Sequence, residues 1–328
     1  MLTAPLLVLK IATMGLLSFE PIYQQRVWGG RGLEQKLGRS LPDSEPYGES
    51  WEVVDRPEAQ SKIANGELAG MTLRDALENQ SAILMGPGWD PHQPFPILVK
   101  WLDCKERLSL QVHPPADIAP ELGGEPKTEN WYVASAEPNS GLLVGLKQGA
   151  TKEEFEHRLL NNTLEECVHR VNVTAGESMF VRSGRIHAID GGNLILEIQQ
   201  NSDTTYRVYD WGRVGLDGKP REMHIEQSLK CINFDDFEPS TIKPEPGEQQ
   251  LVESEIFNLH KLPLADGGTF TVNGGEQPRL LSVVEGELTE AGGDKVARSQ
   301  TVLLPYAEDF SFTAKGATTV LITEGFAG

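Results

Sequence analysis

Four residues in the middle of the chain, Gln111, His113, Glu129 and His187, are of the types that hold divalent metals. Imidazole nitrogen and carboxylate oxygen suit zinc and other first-row divalent ions. Gln111 and His113 are two apart, and on a strand such residues point to the same face. That spacing is common, so the same four also read as unrelated strand positions. A second group is basic: Lys100, Lys127, Arg207 and Arg213, with Ser109 as a hydroxyl donor. In an acidic chain, cations beside ligand-type residues suit capture of a phosphate or carboxylate. Each taken singly also fits an ordinary surface ion pair. Glu197 stands inside the apolar run Leu194 to Ile198. Burial raises the pKa of an unpaired carboxylate, which suits a general base near neutral pH. A structural ion pair with a neighbouring Arg or Lys fits that position equally. Trp28, Trp51, Trp131 and Trp211 offer rings for stacking on a sugar, or simply core.

The elements that must position these residues are strands and turns. Phe95 to Asp103 and Leu108 to His113 read as two strands around the turn Cys104–Arg107, with Ser109, Gln111 and His113 on one face. Pro114-Pro115 ends the second. Lys127 opens another strand, whose alternation puts Lys127, Glu129 and Trp131 on one side. Leu194 to Ile198 is a buried strand followed by the polar loop Asn201–Thr205. Two capping boxes, Thr72 to Asp75 and Thr151 to Glu154, open helices that run to about Gly86 and Leu160. Residues 234–250, with three prolines and many acids, read as a linker. From Leu251 short strands and Gly turns recur, with one histidine, His260, and no metal-type cluster. Residues 174–182 and 297–305 resemble each other weakly, as the same strand of two similar barrels.

At 328 residues two domains are expected. The net charge of −19 argues against nucleic acid, whose phosphates demand Lys and Arg. Cys104, Cys167 and Cys231 are few, odd in number and widely spaced, which predicts no disulfide framework, no cysteine zinc site and a reducing, cytoplasmic setting. The apolar stretch Leu2 to Leu17 is short, is interrupted by Lys10 and lacks a clear cleavage motif. It predicts no membrane span, and a start at Met14 accounts for it as economically as a signal peptide does.

Several motifs together carry a resemblance. Gly176, then five residues, then Arg182-Ser-Gly-Arg-Ile-His187 resembles the cupin pattern Gly-x5-Pro-x-Gly-x2-His, with Arg182 in the proline's place. Leu108-Ser-Leu-Gln-Val-His-Pro114, Lys127-Thr-Glu129-x-Trp-Tyr132 and the run Glu197 to Arg207 resemble, in order, the type I mannose-6-phosphate isomerases in their short bacterial form. The likeness covers residues 18–230 well and the tail loosely.

What the resemblance implies is specific. The fold would be mainly β: two cupin (jelly-roll-like) barrels with small helical insertions. Residues 18–233 would be a catalytic zinc-binding domain, 234–250 a linker, and 251–328 a degenerate second cupin domain without metal. One Zn2+ per chain would be held by His113, Glu129 and His187, with Gln111 as fourth ligand. Arg207 matches the family's active-site arginine. Glu197 and Lys127 stand where proton transfer is placed, with the base left open between them. Ser109, Lys100 and Arg213 stand where substrate or its phosphate is held. The family has Gly before that lysine, whereas here it is Pro126, and the loop from Pro114 is short. The implied reaction interconverts mannose 6-phosphate and fructose 6-phosphate through an enediol, with no organic cofactor. The implied partner is a small-molecule sugar phosphate, with no nucleic acid and no membrane, and the chain a monomer or weak homodimer. Two other classes fit less of the sequence. A metal-dependent cupin oxygenase could use two histidines and a carboxylate, but leaves Arg207 and Lys127 without a task. A non-catalytic sugar-binding cupin would be expected to have lost the base or the arginine, and both are present.

Overall fold

The structure is a computed structural model, and it describes residues 14–327. The reading of the apolar stretch that precedes Met14 lies outside the described residues. Eleven strands build the part that carries the candidate residues: β1 Ile22–Gln24, β2 Glu49–Val53, β3 Ile97–Cys104, β4 Leu110–Val112, β5 Glu129–Ala136, β6 Gly141–Leu146, β7 Val168–Asn172, β8 Ser178–Val181, β9 His187–Ile189, β10 Asn193–Gln200 and β11 Tyr206–Tyr209. They form two antiparallel sheets. One has the order β8-β5-β10-β3-β2-β1, the other β7-β6-β9-β4-β11. Leu102, Trp131, Val133 and Ile195 of the first share a buried cluster with Leu142, Val144 and Ile189 of the second.

All eight residues of β3 are buried, and seven of the eight in β10. A strand covered on both faces reads as a nearly continuous apolar run. In β3, Ile97, Val99 and Trp101 join one core cluster, and Leu102 and Cys104 join that between the two sheets. Lys100 alternates with the former and so falls on the inter-sheet side. In β10, Leu194, Leu196 and Ile198 face the first cluster, and Ile195 the second. Glu197 therefore also points between the sheets.

The two capping boxes form as the spacing predicts. Thr72 accepts from the Asp75 backbone N–H at 3.1 Å at the head of α1, Leu73–Leu84. Thr151 accepts from Glu154 N–H at 3.2 Å at the head of α2, Lys152–Leu160. Leu73, Ala76, Leu77 and Leu84 bury the inner face of α1.

The tail is one eight-stranded antiparallel sheet, with the order Leu17–Ser18, Thr301–Leu304, Arg279–Glu290, Phe310–Glu324, Asn258–Leu264 and Gln249–Val252 along its main path. Its first strand comes from the N-terminus: Leu17 pairs with Leu303. The stretch 234–250 is docked along the first part of the chain. Ser178 and Ile242 exchange backbone hydrogen bonds at 2.8 and 3.0 Å, and buried Glu177 accepts from Thr241 and Lys243. Among the described residues no helix is long and apolar enough to cross a membrane.

Candidate active site

Strand pairing assembles the site as two rows. Across the six-stranded sheet, Glu197 pairs with Trp131 on one side and Lys100 on the other, and Lys100 with Trp51. Across the five-stranded sheet, Gln111 pairs with His187 on one side and Arg207 on the other. Side chains directly opposite on paired strands stand on one face. Each row is thus contiguous in space although its members lie far apart in sequence.

Where the rows meet, His113, Glu129 and His187 bring one ligand atom each within 4.8 Å of one another, all three buried. Glu129 opens β5, His187 opens β9, and His113 follows β4. Each imidazole is held by its other nitrogen: His113 Nδ1 lies 2.9 Å from Thr204 O, and His187 Nδ1 2.8 Å from Arg185 O. A proton on Nδ1 donated to a carbonyl leaves Nε2 as a lone pair, which is how metal-binding histidines are oriented. His113 Nε2 lies 3.4 Å and His187 Nε2 3.6 Å from the Glu129 carboxylate. Burial lowers the pKa of both rings, that of His187 to about 3 with His113 adding to the effect. Both shifts favour the neutral ring, the form that offers a lone pair to a metal.

His113 Nε2 and both Glu129 oxygens are buried with no hydrogen-bond partner. Lys127 Nζ is 2.9 Å from Glu129 Oε2, an ion pair by distance without the direction of a hydrogen bond. A dry carboxylate without donors is costly, and a divalent cation at that point would satisfy all three atoms. The donor set, two imidazoles and a carboxylate, fits zinc chemistry. The Gln111 amide nitrogen lies 3.3 Å from His187 Nε2 while its oxygen accepts from Ser109 at 3.4 Å, so Gln111 would complete the set only with its amide turned over.

Lys127 bridges this group to Glu197, 3.8 Å away. Burial opposes the Lys127 charge, but Glu129 and Glu197 outweigh it and raise its pKa. Glu197 is pushed up to about 7, first by burial and then by the Glu129 charge, against the pull of Lys127 and Lys100. Trp131 Nε1 donates to its other oxygen at 2.9 Å. Glu197 is thus a buried carboxylate with a cation alongside, which combines the two readings left open by the sequence.

Lys127 and Glu197 line a cavity of about 360 Å³, whereas His113, Glu129 and His187 are not among its lining residues. Lys100, Ser109, Gln111, Lys127, Glu197 and Arg207 all reach it. Arg207 donates to Ser109 Oγ at 3.3 Å and to Glu222 O at 2.7 Å. Lys100 lies 3.4 Å from Asp203, 3.9 Å from Glu49 and over the Trp51 ring at 4.6 Å. Arg213 is not among the lining residues. It is pinned to Asp210 at 2.6 Å and to the Arg107 carbonyl. Three charged lining residues, Arg26, Glu49 and Arg221, were not singled out from the sequence, and Asp203 entered only as part of the polar loop Asn201–Thr205. Trp28, one of the candidate stacking rings, also lines the cavity, and nearby Arg26 pairs with Glu49 at 2.8 Å.

Comparisons with known proteins point to one family. A model of the phosphomannose isomerase type I catalytic domain matches residues 16–144. Mannose-6-phosphate isomerase ManA of Bacillus subtilis is 35% identical over 300 residues, 88% of this chain and 93% of the relative. The mannose-6-phosphate isomerase of Streptococcus mutans is 35% identical over 280 residues, 82% and 86% of the two chains. Among solved structures, the mannose 6-phosphate isomerase from Bacillus subtilis matches with a TM-score of 0.84 at 29% identity, covering 94% of this chain and 99% of that one.

Proposed function

The chain belongs to the type I phosphomannose isomerases, and from that premise we propose that it interconverts mannose 6-phosphate and fructose 6-phosphate by proton transfer through an enediol. One observation carries the reading: three buried ligand atoms without hydrogen-bond partners converge beside a Lys127–Glu197 pair at the floor of a cation-rich cavity.

In the open-chain aldose, a base removes the proton at C2 while the C1 carbonyl oxygen gathers negative charge. The C1 oxygen takes up a proton and the C2 hydroxyl gives one up, the same carrier returns its proton at C1, and C2 becomes the ketone. No redox cofactor is needed, because one carbon is oxidised as its neighbour is reduced. Glu197 suits the base: burial holds its pKa near the working pH. Lys127, 3.8 Å away, is the alternative carrier and the counter-charge. Arg207 faces the same cavity and stabilises the oxyanion as it develops. Ser109 fixes the Arg207 fork and, with Lys100, contacts the sugar. Arg213 supports the anionic end from behind Asp210. His113, Glu129 and His187, with Gln111, would hold one Zn2+ per chain. When bound, such an ion supplies Lewis-acid polarisation of the sugar oxygens. Residues 18–233 carry all of these groups, and we read 251–328 as a second unit without metal and the enzyme as a cytoplasmic monomer or weak homodimer.

A coupled assay of fructose 6-phosphate formation from mannose 6-phosphate, with and without a chelator, tests the proposal. Turnover that a chelator abolishes and zinc restores is the expected result. A metal-loaded protein with no turnover overturns it.

A further inference from the structure

The cavity holds more positive charge than the isomerisation uses. Arg26, Lys100, Lys127, Arg207 and Arg221 line it, against Glu49, Glu197 and Asp203. Most of these cations are engaged. Lys127 sits on Glu129, Lys100 between Glu49 and Asp203, and Arg26 on both oxygens of Glu49 at 2.8 and 3.0 Å. Arg221 differs. Its carboxylate partner is Asp210, reached from Nη1 at 3.2 and 3.3 Å. Arg213 already takes Asp210 Oδ1 at 2.6 Å. One carboxylate therefore serves two guanidinium groups, and Arg207 adds a third positive charge. Burial and this crowding lower the pKa of Arg207 and Arg221 alike, Asp210 notwithstanding. Among the described residues, Arg221 Nε and Nη2 make no hydrogen bond, although the side chain is only 20% exposed.

A guanidinium with two unused donors, in a pocket of surplus positive charge, is built for an oxyanion with several acceptor oxygens. We propose that Arg221 holds the phosphate of the substrate, and that Arg213 is a positioning residue acting on Arg221 through Asp210. The proposal rests on the sugar-phosphate reading above and adds to it which end of the cavity takes the phosphate. The sugar then lies between Arg221 and the Lys127–Glu197 pair, with Arg207 over its reacting carbons. Arg213 cannot take the phosphate itself: it does not reach the cavity, and its Nη groups are engaged by Asp210 and the Arg107 carbonyl.

The test separates KM from kcat and uses inorganic phosphate as a competitive probe. Arg221→Gln should raise KM for mannose 6-phosphate roughly tenfold or more, as for loss of a charged hydrogen bond. It should weaken inhibition by inorganic phosphate by the same factor and move kcat by no more than about twofold. Arg213→Gln should shift both constants in the same direction by less. Unchanged KM and unchanged phosphate inhibition in Arg221→Gln, with the wild type active, overturn the assignment. Should Arg221→Gln fail to fold, Arg221→Lys reads the same constants. Lysine keeps the charge but loses the fork, and a loss of at least about threefold is expected; wild-type constants overturn the proposal. If the wild type shows no turnover, the isomerase reading fails separately. Arg221 is then judged by whether inorganic phosphate raises the wild-type melting temperature and leaves that of Arg221→Gln unmoved; equal shifts count against it.

Discussion

Glu129 and Arg207 divide the electrostatic work between them. Glu129 gathers two imidazoles and one lysine around a carboxylate that water does not reach. Arg207 stands across the cavity, held by Ser109 and the Glu222 carbonyl. A contact that tightens as the oxyanion forms lowers the barrier to the chemical step. Arg207→Lys should therefore leave folding and metal content intact, barely change KM, and lower kcat by on the order of 10²-fold, as when one oxyanion donor is lost. Steady-state kinetics decide the point: normal kcat with raised KM would make Arg207 a ground-state clamp. Glu49 predicts a pH effect. Burial opposes its ionisation, but Lys100 and Arg26 hold its pKa at about 2, below the ordinary 4.5. A carboxyl depressed by folding stabilises the native state above its unfolded pKa and loses that contribution as pH falls toward the folded value. The stabilisation is about 3 kcal/mol, present above about pH 4.5 and fading toward pH 2. Urea unfolding between pH 6 and 3 should show a shallower acid loss in Glu49→Gln than in the wild type; parallel curves would contradict this. Of the site's single residues, the ligand-type ones were legible because histidine and glutamate on strand faces carry their chemistry in their names. Arg26 and Arg221 were not, because an arginine becomes part of a site only through what the fold sets opposite it.

Among elements, register does most of the placing. The pairings Trp131–Glu197–Lys100 and His187–Gln111–Arg207 each join residues from three strands. A slip of one residue in β10 would turn Glu197 into the apolar cluster and Ile198 into the cavity. A close backbone crossing then sets the wall opposite. A methyl group at Gly29 would sit 2.4 Å from Gly48 N, and one at Gly48 2.5 Å from Arg26 Cβ and 2.9 Å from the Trp28 ring. Two glycines let the loop bearing Arg26 and Trp28 lie flat against the approach to β2. Gly29→Ala should destabilise the protein by about 1–3 kcal/mol, as overpacking does, and should raise KM by displacing Arg26. Thermal unfolding and kinetics check this; an unchanged melting temperature and KM would show that the crossing yields without consequence. Both helix starts were legible from the side chain three residues ahead that caps each of them. The sheet order was not, since β3 pairs with β10 across about a hundred residues and no local pattern encodes the partner. For the same reason Glu197 looked partnerless in sequence, whereas its partners Trp131 and Lys127 come from β5 and the residues leading into it.

On the scale of the whole molecule, the two parts share a core. Trp101, Val53 and Leu73 cluster with Leu251, Leu303 and Leu321 of the tail. Ser299 O accepts from Trp101 Nε1 at 3.0 Å and from Arg39 at 2.5 Å. Trp101 neighbours Lys100 on β3, so the tail buttresses the strand that supplies a cavity lysine. Composition shifts near residue 234, but it gives no sign of this joint, nor that Leu17–Ser18 joins the tail's sheet. A net charge of −19 over the chain contrasts with five cations around one cavity. Placing them costs desolvation unless they serve an anionic ligand. Among the described residues the one cluster of metal-type ligands is His113, Glu129 and His187, and none lies in the tail. The most direct test of the account strips the protein of metal with a chelator and titrates zinc back while isomerase activity is followed. Activity should be absent in the stripped protein, rise linearly and saturate at one equivalent per chain, and His113→Ala should neither bind that equivalent nor turn over. Full activity without metal, or saturation only at two equivalents, would contradict it.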